Sequence, residues 1–273
     1  MSLSTSTRMY DVAPSARDAW HALLEAAYKA AGLDVEFIEH GWPTPIGELW
    51  ERPNLCGVFM CGWPFVHARQ SGKHFIPVAS VIPDWPAYDG KARYRSEFLI
   101  RDDAPWTELK DAIGSRYGWM VQDSQSGWNA PRAELSKLIQ EKGQSLFSES
   151  KGPYGNPRGL LRALSEREID LTALDSWYLD LLRAHDPGVL AGIKTLAFTP
   201  WTPNPLLVAS PDLPAAIAEK LASILHGMHK NPDYAQLLSN AHIKGFEPVN
   251  VDSYDVLAKM ASDAHARDYD VIR

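Results

Sequence analysis

The residues best placed to do chemistry lie in Gly118-Trp119-Met120-Val121-Gln122-Asp123-Ser124-Gln125-Ser126-Gly127-Trp128-Asn129-Ala130-Pro131. The order of residue types reads as a short strand, a hydroxyl-rich turn and the start of a helix. The first turn of a helix has backbone N–H groups without intrahelical partners, and the helix dipole is positive at that end. Such a start holds a phosphate-like group without help from any charged side chain. Ser124 and Ser126 add hydroxyl donors, and Gly127 lets a ligand approach the backbone. A serine-rich turn before a helix is often only a cap. The ligand reading gains weight here because the turn follows a strand in an alternating chain, where ligands sit beyond strand ends.

The rest of the sequence narrows the choice of chemistry. There is no Gly-x-Ser-x-Gly, His-Glu-x-x-His, Walker-type or dinucleotide fingerprint, so catalytic signatures give an enzyme no support and no cofactor is implied. His226 and His229 are three apart on one helix but lack a third ligand nearby, which reads as a solvated helix face rather than a metal site. Cys56 and Cys61 are the two cysteines. Their odd offset in an apolar run puts them on opposite faces of a strand, as buried thiols rather than a disulfide. The net charge of −7 and the lack of a Lys/Arg-rich stripe argue against nucleic acid as a partner. No run of eighteen apolar residues occurs, and the N-terminus lacks the regions of a secretory signal. The polar start fits either a short replacement for a removed leader or a cytosolic beginning. A periplasmic or extracytoplasmic location is expected in the first case and a cytoplasmic one in the second.

Positioning the anion turn requires a larger scaffold, and a chain of 273 residues sits near the size at which cores divide. The alternation of elements points to an α/β fold. Thr7 to Val12 reads as a first strand. Ser15 is expected to cap a helix carrying Trp20, Leu23, Leu24, Ala27 and Ala31 at helical spacing, with Gly32 ending it. Strands are expected over Val35–Ile38, from Cys56, and over Phe75–Ile82. Pro83 to Gly90 marks a crossing segment. Beyond it are expected a strand over Arg93–Ile100, a short helix after Pro105, the Trp119 strand, and a long helix from about Trp128 to Lys142. Glu141 to Gly152 is polar and reads as mobile. Helices over Asn156–Arg167 and Asp175–His185 flank a strand over Ile169–Leu174, and a strand over Ile193–Phe198 leads to a second crossing at the proline-rich Thr199–Pro205. The tail is helical, with Val251–Ala264 last.

At this level of detail the chain, from about Met9 to Ala264, resembles the phosphonate/phosphate-type solute-binding proteins of ABC importers. Four segments carry the likeness: Ala87–Phe98, Ala104–Asp111, the Ser124-Gln125-Ser126-Gly127 loop, which matches a Ser-Thr-Ser-Gly pattern apart from Gln125, and Leu164–Asp175. The resemblance implies a two-lobed α/β fold of the type II periplasmic-binding kind, each lobe a mixed sheet flanked by helices, joined by two hinge crossings. Residues 1–88 and 200–273 are expected in one lobe and 89–199 in the other. Roles follow position by position. Ser124, Gln125, Ser126 and Gly127 would hold the anion, Tyr10 would close the first-strand loop, and Trp63 would form a corner below the cleft. Asp175 would meet a positive or polar end of the ligand, and Trp201 on the second crossing would line the mouth. The family commonly has a histidine where this chain has Gly155-Asn156-Pro157-Arg158. Asn156 is expected to cap the helix there, with Arg158 reaching an anion.

The function implied is that of a solute-binding protein closing on a small anionic or zwitterionic ligand, phosphate- or phosphonate-like, for an ABC permease, and acting as a monomer. A biosynthetic enzyme or a sensor on the same two-lobed fold is the alternative, since fold alone does not decide function. Trp63, Trp128 and Trp201 are candidates for aromatic walls.

Overall fold

The computed structural model describes residues 2–273. The chain divides into two compact units, one formed by the chain up to Arg93 with Pro203–Ser253, the other by Tyr94–Thr202 with Tyr254–Arg273. The segments at the first two crossings, Arg93–Tyr94 and Thr202–Pro203, pair as a two-stranded ladder. A third crossing at Ser253 corrects the expected division, in which 200–273 stayed together. The last twenty residues join the second unit because Tyr269 and Ile272 are buried in its core beside Phe98 and Tyr117. Helical periodicity showed that this tail has an apolar face but not which sheet covers it.

In the first unit, helix Pro14–Ala31 buries the apolar residues its spacing predicts, and Gly32, at φ 61°, ends it by donating to the Lys29 carbonyl. Pro14 opens the helix with Ala13 at the cap position, two residues earlier than Ser15 suggested. The first strand is Leu3–Thr5, whereas Arg8–Tyr10 is a 3-10 turn. The buried Tyr10 and Val12 mimic a strand's alternation, but a turn places them in the core instead. Leu3–Thr5 runs parallel to Val35–Phe37, and a parallel bridge from Ser4 to Leu55 leads into strand Cys56–Met60. A four-stranded antiparallel sheet follows in the order 243–247, 76–83, 206–209, 56–60. Neither cysteine forms a disulfide, and Cys61 lies past the strand, at the start of helix Gly62–Gln70. Burial pushes the Cys56 thiol up to about 12, so it is an inert packing residue. His226 is half-buried and its ring is held toward the neutral form by burial, which corrects the solvated face expected for it.

The second unit is built on a five-stranded mixed sheet in the order 193–198, 96–101, 171–175, 116–118, 149–151. The last three strands run parallel to one another. Strand Glu149–Lys151 lies in the stretch expected to be mobile; its partner, Arg116–Gly118, gives it order that its own polar sequence does not. The expected long helix is in fact three short pieces: a π-type turn over Gln125–Asn129, an α-helix over Ala130–Leu135 and a 3-10 turn over Ser136–Leu138. Trp128 packs in the core edge-on to Trp119, with ring centroids 5.0 Å apart, and is not a wall.

Two charged clusters hold this sheet. Glu97, 4% exposed, takes both ends of the Arg183 guanidinium at 3.0 and 2.8 Å and accepts a hydrogen bond from the Thr195 hydroxyl. Asp170 bonds Arg116 at 2.8 Å and Arg101 at 3.1 Å and accepts from the Arg116 backbone N–H. The Arg116 side chain, foremost, brings the Asp170 carboxyl down to about 2, against 3.8 ordinarily. A folded pKa below the unfolded one stabilises the fold above about pH 4, and the contribution is lost as the pH falls through 2. Asp170→Asn is therefore expected to cost roughly 2 kcal/mol at pH 7. Acid titrations of stability should show the wild type losing that advantage between pH 4 and 2, with no such step in the variant.

Candidate functional site

Unit two carries most of the residues singled out by sequence, and its strand directions explain why they meet. Strands Arg116–Gly118 and Leu171–Asp175 are parallel, so the loop leaving Gly118 and the helix following Asp175 emerge at the same sheet edge. The Thr172 hydroxyl donates to the Gly118 carbonyl at 2.8 Å and ties the two strands together. Past this edge, Tyr154 and Gly155 donate backbone hydrogen bonds to the carbonyls of Trp119 and Met120, which brings Asn156 and its helix alongside. The anion turn, Asp175 and Asn156 are thus gathered at one end of the sheet.

Ser124 caps the turn. Its Oγ accepts from the Gly127 N–H at 2.9 Å, and its carbonyl accepts from the Asn129 N–H at 3.0 Å. Gly127 has a packing reason to be glycine, because a Cβ there would sit 3.0 Å from the Met120 Cβ and 3.1 Å from the Ser124 Oγ. Gln125 is fully buried and turned into the unit. Its Oε1 accepts from Asn129 Nδ2 at 2.8 Å and its Nε2 donates to the Met260 sulfur at 3.5 Å. Ser126 differs from both neighbours. It is 7% exposed, and among the described residues its hydroxyl has no hydrogen-bond partner. An uncommitted hydroxyl at a helix start, beside N–H groups that the helix itself leaves unsatisfied, is a donor set aimed at an acceptor from outside the chain.

The other predicted residues have mixed environments. Asn156 caps helix Pro157–Ser165 as expected, its Oδ1 accepting from the Gly159 N–H at 2.9 Å. Arg158 is exposed and forms an ion pair with Asp186 at 2.7 Å, so part of its charge is already answered. Asp175 caps helix Ser176–His185, with one carboxylate oxygen accepting from the Trp177 N–H at 2.7 Å and the Tyr178 N–H at 3.1 Å. Asparagine keeps that acceptor and alanine removes it. Asp175→Asn is therefore expected to leave the melting temperature nearly unchanged, while Asp175→Ala costs about 1 kcal/mol, measurable by denaturant titration. The Arg95 guanidinium lies over two rings, 4.4 Å from the centroid of Trp201 and 3.5 Å from that of Phe198. Tyr10 and Trp63 belong to the first unit, where Tyr10 packs edge-on to Phe59 and Trp63 lies 4.0 Å from the His67 ring. Among the described residues, no group of three His, Cys, Asp or Glu side chains is placed to hold a metal ion.

Sequence reasoning missed the Arg95 stack and a contact between Arg8 and His40 in the first unit. Neither had a local signal. The partners of Arg95 lie about a hundred residues away along the chain, and Arg8 reads as an ordinary polar residue within the strand expected over Thr7 to Val12.

An α/β chain of two units built on mixed sheets of this kind has the type II periplasmic-binding fold. The chain belongs to the family described as ABC transporter, phosphonate, periplasmic substrate-binding protein, whose model matches residues 10–254. This is a family of substrate-binding proteins for importers rather than of enzymes, and it implies work outside the cytoplasmic membrane. No helix among the described residues is long and apolar enough to cross a membrane.

Solved structures agree on the fold. A binding protein component of an ABC phosphonate transporter from Pseudomonas aeruginosa is similar with a TM-score of 0.80 and 14% identity, covering 97% of this chain and 87% of that one. PhnD1 from Prochlorococcus marinus, in complex with methylphosphonate, is similar at 0.77 and 17% identity, covering 96% and 98%. R. palustris Rpa4515 with adipate is similar at 0.62 and 13% identity, covering 97% of each chain. A search of the curated proteins gives no match.

Proposed function

We propose that this protein captures a small phosphonate or a closely related oxyanion in the periplasm and presents it to an ABC permease, with Ser124, Ser126 and Gly127 forming the anion-holding turn. The observation that carries this reading is the Ser126 hydroxyl, which has no partner among the described residues at the start of a helix beyond parallel strand ends. The family and the methylphosphonate complex of a similar fold point to the same chemistry. In this reading, Ser124 shapes the turn, while the Ser126 hydroxyl and the free N–H groups of the first turn bind the oxygens through charge-assisted hydrogen bonds. Asp175 already caps its own helix, so its charge is largely directed at backbone N–H groups and does not by itself demand a cationic ligand group.

A thermal-shift panel tests the proposal, using phosphate, phosphite, sulfate, methylphosphonate, 2-aminoethylphosphonate and small carboxylates. A ligand at a hundred times its Kd adds about 2.7 kcal/mol, a rise of several degrees for a chain of this size. A rise confined to phosphorus oxyanions supports the reading. A flat response to every phosphorus compound, alongside a rise with a carboxylate, removes it.

A further inference from the structure

The side chains of Gln125, Asn129 and Arg132 form a buried polar chain that runs from the anion turn to the tail of the second unit. Asn129 is its middle link and is fully buried. Its Nδ2 donates to the Gln125 Oε1 at 2.8 Å and to the Leu257 carbonyl at 3.0 Å, while its Oδ1 accepts from the Arg132 Nη2 at 3.3 Å. At the two ends, Gln125 Nε2 donates to the Met260 sulfur at 3.5 Å and Arg132 Nη1 to the Asp270 carbonyl at 2.9 Å. Leu257, Met260 and Asp270 all belong to Tyr254–Arg273, the segment that returns to this unit.

These ties coincide with an irregular stretch of backbone. The Ala130 N–H donates to the Gln125 carbonyl and the Asn129 N–H to the Ser124 carbonyl, each five residues back. An α-helix closes four residues back, so the turn carries one extra residue, and its side chains are aimed differently from those of a regular helix. Pro131 has no N–H to give the Gly127 carbonyl, which opens the ladder here without deciding how the gap is closed. The amide of Asn129 decides it, because it binds Gln125 at the head of the turn and the tail at once. A buried chain of Gln, Asn and Arg stabilises a core little compared with apolar side chains; a satisfied network of this kind contributes a single, rigid geometry.

Ser126 follows Gln125 directly inside this turn. We infer that Asn129 is a positioning residue that holds the wide turn against the tail and so fixes the aim of the Ser126 hydroxyl, which makes Tyr254–Arg273 part of the support of the anion site. This role rests on the anion-turn reading above. Without the Asn129 amide, Gln125 and the Leu257 carbonyl each lose a donor, and the turn is released to close four residues back, which re-aims Ser126.

Calorimetric titration of methylphosphonate and of phosphate into the wild type, Asn129→Ala, Gln125→Met, Arg183→Ala and the double variant of Ser126→Ala with Asn129→Ala tests it, with melting curves for each. Asn129→Ala should raise the Kd about tenfold, the scale of one hydrogen bond to a charged group. Gln125→Met keeps an apolar contact for Met260 but loses the bond to Asn129, and should raise the Kd by a smaller factor. In the double variant the two single factors should not multiply, since Asn129 then has no hydroxyl left to aim. Arg183→Ala, which disturbs a different cluster, should lower stability with the Kd unchanged. If Asn129→Ala binds as tightly as the wild type, or if its factor multiplies with that of Ser126→Ala, the role given to Asn129 is refuted and the anion turn stands. Where Asn129→Ala does not fold, an unchanged Kd in Gln125→Met refutes it. If the wild type binds neither ligand, the anion-turn reading falls and this role with it.

Discussion

Ser126→Ala is expected to weaken phosphonate binding by about 1–3 kcal/mol, roughly a 5- to 150-fold rise in Kd, with no loss of thermal stability. The two halves of this expectation have separate causes. Among the described residues the hydroxyl has no hydrogen-bond partner, so its removal should cost the folded state nothing. In the complex it would donate to an oxyanion, and hydrogen bonds to charged groups are the stronger class. Ser124→Ala should behave differently, because Oγ of Ser124 accepts from the Gly127 N–H inside the turn. Loss of that cap should lower stability by about 1 kcal/mol and weaken binding indirectly, through a less ordered turn. Isothermal titration paired with melting curves separates the two serines. Equal affinity in the Ser126 variant and the wild type would take this residue out of the site.

The largest stability effect is expected away from the site, at Arg183→Ala. Glu97 is buried in the second unit's sheet, and Arg183 is its charged partner, seconded by Thr195. Removing the guanidinium leaves a buried carboxylate held by one hydroxyl. Breaking a buried pair from one side costs about 3–5 kcal/mol. Because the Arg183 side chain is itself 43% exposed, the lower end applies, about 3 kcal/mol. At this chain length that is a fall of roughly 6–12 °C in melting temperature. The double variant Glu97→Gln with Arg183→Ala should recover part of the loss, since no uncompensated charge then remains. A double variant no more stable than Arg183→Ala alone would assign the loss to packing by the arginine stem.

What the sequence disclosed depended on how local each signal is. The helix Pro14–Ala31 was legible because its apolar spacing and the terminating Gly32 are contained in eighteen consecutive residues and the one after. The anion turn was legible for the same reason: strand, Ser-x-Ser-Gly and helix start lie within fourteen residues. Strands Leu206–Ala209 and Ile243–Glu247 were not, since their order comes from pairing with Ile76–Pro83, more than a hundred residues away. The tail was read as a helix but its unit was missed, because Tyr269 and Ile272 meet Tyr117 and Phe98 only in three dimensions. The π-type turn at Gln125–Asn129 escaped as well. It is held by Asn129, whose amide bonds Gln125 and the Leu257 carbonyl, a tertiary contact overriding a sequence that reads as plain helix.

The site shows the same division. Asn156 and Asp175 were expected at helix starts, and both cap their helices, as residue type and position suggest. Gln125 was expected to face an anion, yet its whole side chain is used inside the second unit. Sequence marks a loop and its chemistry; it does not say which of three adjacent side chains points outward. The Arg8 and His40 contact joins residues thirty-two apart across two strand ends, and no motif announces it.

Amide hydrogen exchange, followed with and without saturating methylphosphonate, tests the central claim most directly. If the anion sits on the helix start, the amides of Ser126 to Trp128 should exchange about tenfold more slowly or better in the complex, since the ligand's oxygens then hold the turn closed and add an acceptor to its N–H groups, beyond the cap that Ser124 already gives Gly127. Tight binding with unchanged exchange at Ser126 to Trp128, and protection elsewhere, would place the ligand on other residues and contradict the account.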